Sequence, residues 1–280
     1  RRERGRGDDG GGSMIGAPFS LDLRRSRTLL AGLVVITAGY AGFISVFYTN
    51  VVENAEQFES LLDAYPKELL VAFGLGEGSF ADPGIFLGGY VYNFLWPLIA
   101  AIAAIALATR VAGDASRGFL DIVLSTRLAR TQHLLGSIGT QVVGIVILAA
   151  SLVIGVFVGD LLIAPSFPED RVAMSALHMI VFGAAIAGPA TLLAVVLLDR
   201  GRAAGIVAGV LVVMYLFNIV AALAPDVDWL ASVSAFHYFD LQDLIGTGRY
   251  PVSDSLLLGA FAIAGWALAF VAFRRRDLAA

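Results

Sequence analysis

Side chains able to do acid–base, nucleophilic or metal chemistry are few in this 280-residue chain, and they are scattered. Its three histidines, His133, His178 and His237, fall in separate segments, and there is no cysteine. Neither an H-E-x-x-H pair, which sets two imidazoles on one helical face for zinc, nor a G-x-S-x-G elbow, which exposes a nucleophilic serine, occurs. A phosphate-binding P-loop needs a lysine within G-x-x-x-x-G-K-[ST], and the sole lysine, Lys67, sits in YPKELL instead. Asp226 and Asp228 form a D-x-D pair of the kind metal binding or sugar transfer uses, but two acids ending an apolar run are read here as simply solvated charges. One stretch has organised chemistry of another kind. GDASRGFLDIVLSTRLAR, residues 113 to 130, mixes charges with a helical apolar pattern between two long apolar runs. Such a segment recognises a surface rather than transforming a substrate, and no enzymatic activity is expected of the chain.

The elements that position this stretch follow from composition. Hydrophobic residues make up 58% and charged residues 15% of the chain, and the mean hydropathy is +0.80, which is the composition of a membrane protein. A helix needs about 20 apolar residues to cross the hydrocarbon layer. Six runs approach or meet that length: Thr28 to Thr49, Ile85 to Thr109, Ser137 to Val158, Val172 to Leu198, Ala203 to Ala224 and Ser255 to Phe273. The expected fold is all-α and polytopic, with six transmembrane helices plus short amphipathic coupling and external helices. The first run exceeds a signal-peptide core and no A-x-A site follows, so it is read as a retained span. Residues 1–13, RRERGRGDDGGGS, are Gly-rich and charged and are expected to be a disordered tail. Met14 after them reads as a misassigned start or a tag remnant, and residues 14–280 as a single six-helix membrane domain. Pro18 to Arg27 reads as an interfacial helix leading into the bilayer. Between the first two spans, Phe58, Leu61, Leu62 and Tyr65, then Leu69, Leu70 and Phe73, recur at helical spacing, predicting two short external helices separated near Pro66.

Orientation follows from the basic residues, which short loops keep on the cytoplasmic side. With both termini inside, 16 of the 19 lysines and arginines face the cytoplasm and only Lys67, Arg171 and Arg249 face out. The span interiors carry Asn93, Gln141, His178 and Asn218 but no charged side chain, so a proton- or sodium-driven path has little to work with. These four read as interhelical glue, and no carboxylate stands at helical spacing from His178 to make a relay. Gly201, Gly205 and Gly209 repeat every four residues on the fifth span, as Gly136, Thr140 and Gly144 do on the third, and predict close helix packing, within the subunit or across a dimer. Pro97 and Pro189 are expected to kink the second and fourth spans.

With both termini inside, residues 110–136 form the first cytoplasmic loop. On a helix, Phe119, Leu120, Ile122, Val123 and Leu124 cover an arc of about 200°, opposite Asp114, Arg117, Asp121 and Ser125. That arc is too wide for water and must be covered by the membrane interface or by a partner protein; periodicity does not separate the two. Thr126 is placed to cap a second short helical piece ending near Arg130.

The order of Asp114, Gly118, Leu120, Leu124, Ser125, Thr126 and Arg130 after the second of six spans resembles the permease subunits of type-2 ABC transporters. Their loop carries an acidic-Gly-Thr-Leu-x-x-Leu-Leu-Ser-x-Pro-x-x-Arg pattern. SAFHYFDLQDLI before the last span and the terminal FRRRDL are similar to family segments too, and the likeness covers residues 18 to 278. Arg127, Ala235 and Leu241 stand where the family usually has proline. The resemblance implies an exporter-like permease in the plasma membrane, built from two such domains, the second a copy or a paralogue, and driven by a separate ATPase subunit that binds the ATP and Mg. In that arrangement Phe119, Leu120, Val123 and Leu124 anchor the loop in the ATPase, while Asp114, Arg117 and Arg130 set its register. The turn Asp199 to Arg202 is a second contact or a simple positive anchor. The resemblance also implies a path lined by the second and fifth spans, with the substrate left open. The other readings are a gradient-driven secondary transporter and an integral membrane enzyme acting on a lipid-linked substrate.

Overall fold

The computed structural model of the chain describes residues 16–62, 65, 79, 81–116, 130–162 and 167–275. Its helices are α1 (Gly16–Glu53), α2 (Ala55–Leu62), α3 (Pro83–Ile85), a π-helical stretch (Phe86–Leu95), α4 (Trp96–Ala108), α5 (Arg110–Ser116), α6 (Arg130–Asp160), α7 (Glu169–Leu197) and α8 (Arg200–Leu223). A 3-10 segment (Pro225–Val233), α9 (Gln242–Thr247) and α10 (Val252–Arg275) complete the chain. Six helices are long and apolar enough to cross a membrane, and no strand occurs among the described residues. Helices are what such a sequence must form, because hydrocarbon offers no partner for an unpaired N–H or C=O. The protein is an all-α polytopic membrane protein, as its composition predicts.

The first span differs from expectation in one respect. Pro18 to Arg27 is no separate interfacial element but the opening turns of α1, a single helix of 38 residues and roughly 57 Å. Nothing in those turns breaks the ladder, since the one proline stands two residues from the start, where no helical N–H is needed. The tail residues 1–13 lie outside the described residues, as does the second predicted external helix around Leu69 to Phe73. The first of the two helices predicted between the spans is α2, whose Phe58 meets the Phe47 ring edge-on at 6.2 Å.

Small residues set how the spans cross. A Cβ added at Gly155 would stand 2.8 Å from Ala38 Cα, and one at Gly159 would stand 2.6 Å from Ser45 Cβ, so α1 and α6 meet backbone to backbone. Gly188 and Gly265 do the same for α7 and α10: a Cβ on Gly265 would stand 2.6 Å from the Pro189 nitrogen. Gly144, predicted as a packing position, lies beneath Leu107 and Leu30, with 2.8 Å from its notional Cβ to Leu107 Cδ1.

Among the described residues the glycine repeat of the fifth span meets no other helix: Gly201, Gly205 and Gly209 are exposed, a Cβ at Gly205 or Gly209 would meet no atom within 4 Å, and one at Gly201 only Asp199 Oδ1 at 3.5 Å. Of the two arrangements expected, close packing within the subunit is not seen among those residues. The physical reason is that α8 stands at the rim, with 17% of its apolar window buried against 61% for the second span. The second span is central: Trp96 is fully buried and donates Nε1–H to the Met179 carbonyl (3.1 Å).

Pro97, expected to kink the second span, stands two residues after a π-helical stretch. Lacking an N–H, it leaves the α-type ladder one bond short, and the preceding ten residues, Phe86 to Leu95, run as a π-helix. Gln141 serves as glue between spans, as expected. Its Oε1 accepts from Trp266 Nε1 (3.1 Å) on α10 and stands 2.9 Å from Thr191 Oγ1 on α7.

Candidate functional site

The two ends of the bundle differ in charge. One carries Arg24, Arg25, Arg27, Arg110, Arg200, Arg202, Arg274 and Arg275, and the other gathers Glu53, Asp82, Asp160, Glu169, Asp170, Asp240, Asp243 and Asp254. The segment singled out by the sequence begins at the basic end. Asp114 falls in α5 and Arg130 opens α6, whereas Arg117, Gly118, Phe119, Leu120, Val123 and Leu124 lie outside the described residues. What the structure adds is the root of that segment. Arg110, the first residue of α5, donates to the carbonyls of Asp22 (3.3 Å) and Arg25 (3.2 Å) and pairs with the Asp22 carboxylate at 3.5 Å. Helix α5 is thus tied to the first turns of α1.

A groove of about 1020 Å³ runs between the second and fifth spans from the basic to the acidic end. The second span contributes Phe94, Pro97, Leu98, Ala101, Ile102 and Ile105, at the three- and four-residue steps that share one helical face. Helix α8 contributes Ala204, Ala208, Leu211, Val212, Tyr215, Leu216 and Ile219. The walls are apolar, and the polar groups stand at the ends, the usual make-up of a small-molecule site. At the basic end these are Thr109 and Arg200, and the Arg200 stem lies over Gly113, where a Cβ would stand 3.3 Å from its Cδ.

The acidic end is walled by the segment joining α8 to α10. Asn93, on the π-helical stretch, donates Nδ2–H to Asp240 Oδ1 (3.0 Å) and accepts the Leu241 N–H at Oδ1 (3.3 Å). Gln242 lies against Gly88, where an added Cβ would stand 2.8 Å from Gln242 Cα, and Gly246 lies against Gly84. Arg171 on α7 donates to the carbonyls of Ile245 (2.9 Å) and Gly246 (2.5 Å). Those oxygens belong to the last turn of α9, which has no helical donor for them. Gly248 ends that helix at φ +81°, a left-handed turn that glycine adopts without strain. Helix α9 and its flanks thereby close the groove's acidic end.

His178 holds the same segment from behind. Its Nδ1 is 2.7 Å from Ser255 Oγ and its Nε2 3.0 Å from the Tyr238 carbonyl, while its ring stacks on Phe239 at 5.3 Å. Both ring nitrogens have hydrogen-bond partners, so the imidazole braces the segment against α10. Asp226 and Asp228 are exposed in the 3-10 segment, and no cluster of three metal-ligating side chains occurs among the described residues. Asn93 and His178 stand out in the sequence as polar span residues, but nothing there joins Asn93 to Asp240 or His178 to Tyr238 and Ser255. The aromatic and acidic run SAFHYFD was the available signal.

An apolar groove runs between the charged ends of the bundle, a layout that suits a transport permease. No curated protein matches the chain. Residues 15–274 match the family described as multidrug efflux system permease Rv1217c, C-terminal domain, and the chain belongs to that family.

Proposed function

We propose that the chain is the membrane subunit of an ATP-driven exporter, working as a pair of such domains with two ATPase subunits that supply the ATP and Mg site. The groove between the second and fifth spans is its substrate passage, and residues 110–136 couple it to the ATPase. Both termini lie in the cytoplasm and the protein sits in the plasma membrane, because that orientation places the basic end inside. The single observation that carries the reading is the continuity of groove and segment. The helix that walls the groove, α4, leads through Thr109 straight into α5, where the coupling segment starts.

Power transmission then needs a difference in contact. The ATPase must hold the segment differently in its open and closed states, since a ligand shifts an equilibrium only by its differential affinity. Phe119, Leu120, Val123 and Leu124 serve as apolar anchors, Gly118 lets the backbone approach, and Asp114, Arg117 and Arg130 set the register. Arg110 relays the movement to α1. The exposed stripe of Gly201, Gly205 and Gly209 then faces lipid or the second domain.

The test is purification of the chain from its native membrane. An ATPase is expected to accompany it and to be lost from Leu120→Asp and Leu124→Asp, each of which puts a charge into the apolar anchor. Transport in liposomes on a pH or sodium gradient without nucleotide would overturn the proposal.

A further inference from the structure

We infer that the acidic end of the groove binds a lipophilic organic cation, with Asp240 as counter-ion and the rings of Phe94, Tyr215 and Phe236 as the wall. The inference rests on the groove being the substrate passage and names the chemical class it accepts.

Charge is the first argument. Asp240 lines the groove, and its Oδ1 receives two neutral donors, Asn93 Nδ2 at 3.0 Å and the Gln242 N–H at 2.9 Å. Neutral donors fix a carboxylate's position and leave its charge in place. Among the described residues no basic side chain forms an ion pair with it, and Arg171 on α7 is engaged by the Ile245 and Gly246 carbonyls. His237, the other ionisable residue on this part of the wall, is exposed.

The aromatic wall is the second. Tyr215 and Phe236 meet at 5.5 Å and 71°, and Phe182 supports Phe236 from behind at 5.8 Å and 60°. Phe94 is 48% exposed and lines the groove from the opposite helix. Aromatic faces attract organic cations, and they do so more strongly where water is displaced. A carboxylate among aromatic rings at the head of an apolar channel matches a cationic head on an apolar body.

Polarity along the groove is the third. Arg200 stands at the far end, so the field between the two ends draws a cation to Asp240 and drives it from the basic mouth. An anionic amphiphile would lie the other way round.

The experiment uses the full chain in lipid nanodiscs, without partner or nucleotide. The probes are tetraphenylphosphonium and tetraphenylborate, two ions of nearly one shape and opposite charge, with equilibrium dialysis as the readout. Saturable binding of the phosphonium is expected, weakened about tenfold or more in Asp240→Asn. Asparagine keeps the Oδ1 acceptor for Asn93 and Gln242, so the loop is retained. Phe236→Leu and Phe94→Leu are expected to weaken binding several-fold, and they carry the test should Asp240→Asn misfold. Unchanged affinity in these variants, or saturable borate binding that Arg200→Gln abolishes, overturns the inference. Absence of phosphonium binding in a chain that still supports nucleotide-driven export of another solute removes this site alone. Binding with the expected variant pattern, in a chain that associates with no ATPase, upholds the site and removes the ATP-driven reading.

Discussion

Gly155→Ala tests the crossing on which the bundle is built. The new methyl carbon would stand 2.8 Å from Ala38 Cα, and closer still to the Ala38 carbonyl oxygen, against the 3.4 Å at which ordinary contact begins. The helices must part by about 0.6 Å or more, since the obstacle is backbone and has no rotamer to escape into. A gap of that size forfeits a quarter to a half of each dispersion contact along the seam. Overpacking of this kind costs about 1–3 kcal/mol, and a backbone neighbour places Gly155 near the upper figure. Alanine's better helix propensity returns about 1 kcal/mol, leaving a net loss of about 2 kcal/mol. Gly205→Ala is the matched control. It gains the same propensity and meets nothing within 4 Å, so it is expected to be neutral or up to about 1 kcal/mol stabilising. Unfolding in detergent, followed by the fluorescence of Trp96, Trp229 and Trp266, reads both. If Gly155→Ala is as stable as the parent while Gly205→Ala is destabilised, the glycine stripe of α8 is the packing seam and the assignment of the α1–α6 crossing is wrong.

Two further outcomes follow from the same geometry. Trp96→Phe keeps the buried ring but removes the Nε1–H donor to Met179, and is expected to lower stability by about 1 kcal/mol in the same unfolding assay. Arg171→Met removes both donors to the last turn of α9, so faster hydrogen exchange is expected over residues 242–248 with little change in the α1–α6 core; uniform exchange rates would refute the latch.

Much of this architecture is legible in one dimension. Six apolar runs, bounded by charge and turn residues, dictate six helices because lipid leaves the backbone no other partner. Each predicted run falls on one of the six spans, as Ser255 to Phe273 does inside Val252–Arg275, although α1 starts well before Thr28, at Gly16. The charge difference between the two ends is equally a property of the sequence, since alternate loops must lie on alternate sides. Asp82, ahead of Pro83, caps the start of the second span through the Gly84 N–H at 2.6 Å, an arrangement that depends on neighbours in the chain alone.

Packing partners were not legible, and the glycines show why. Periodicity says that Gly201, Gly205 and Gly209 share a face but not what stands opposite, and the fold sets them at the rim while Gly155, Gly159, Gly188 and Gly265 carry the close crossings. Likewise, nothing local links Asn93 to Asp240, 147 positions away, or Arg171 to Ile245. The groove and its charged ends come into being only when the second and fifth spans are set side by side and the α8–α10 connection folds back between them. Helix formation depends on neighbours a turn away in the chain, and the sequence by itself determines it; which surfaces then meet depends on the shapes of all six helices at once, and only the tertiary structure decides that.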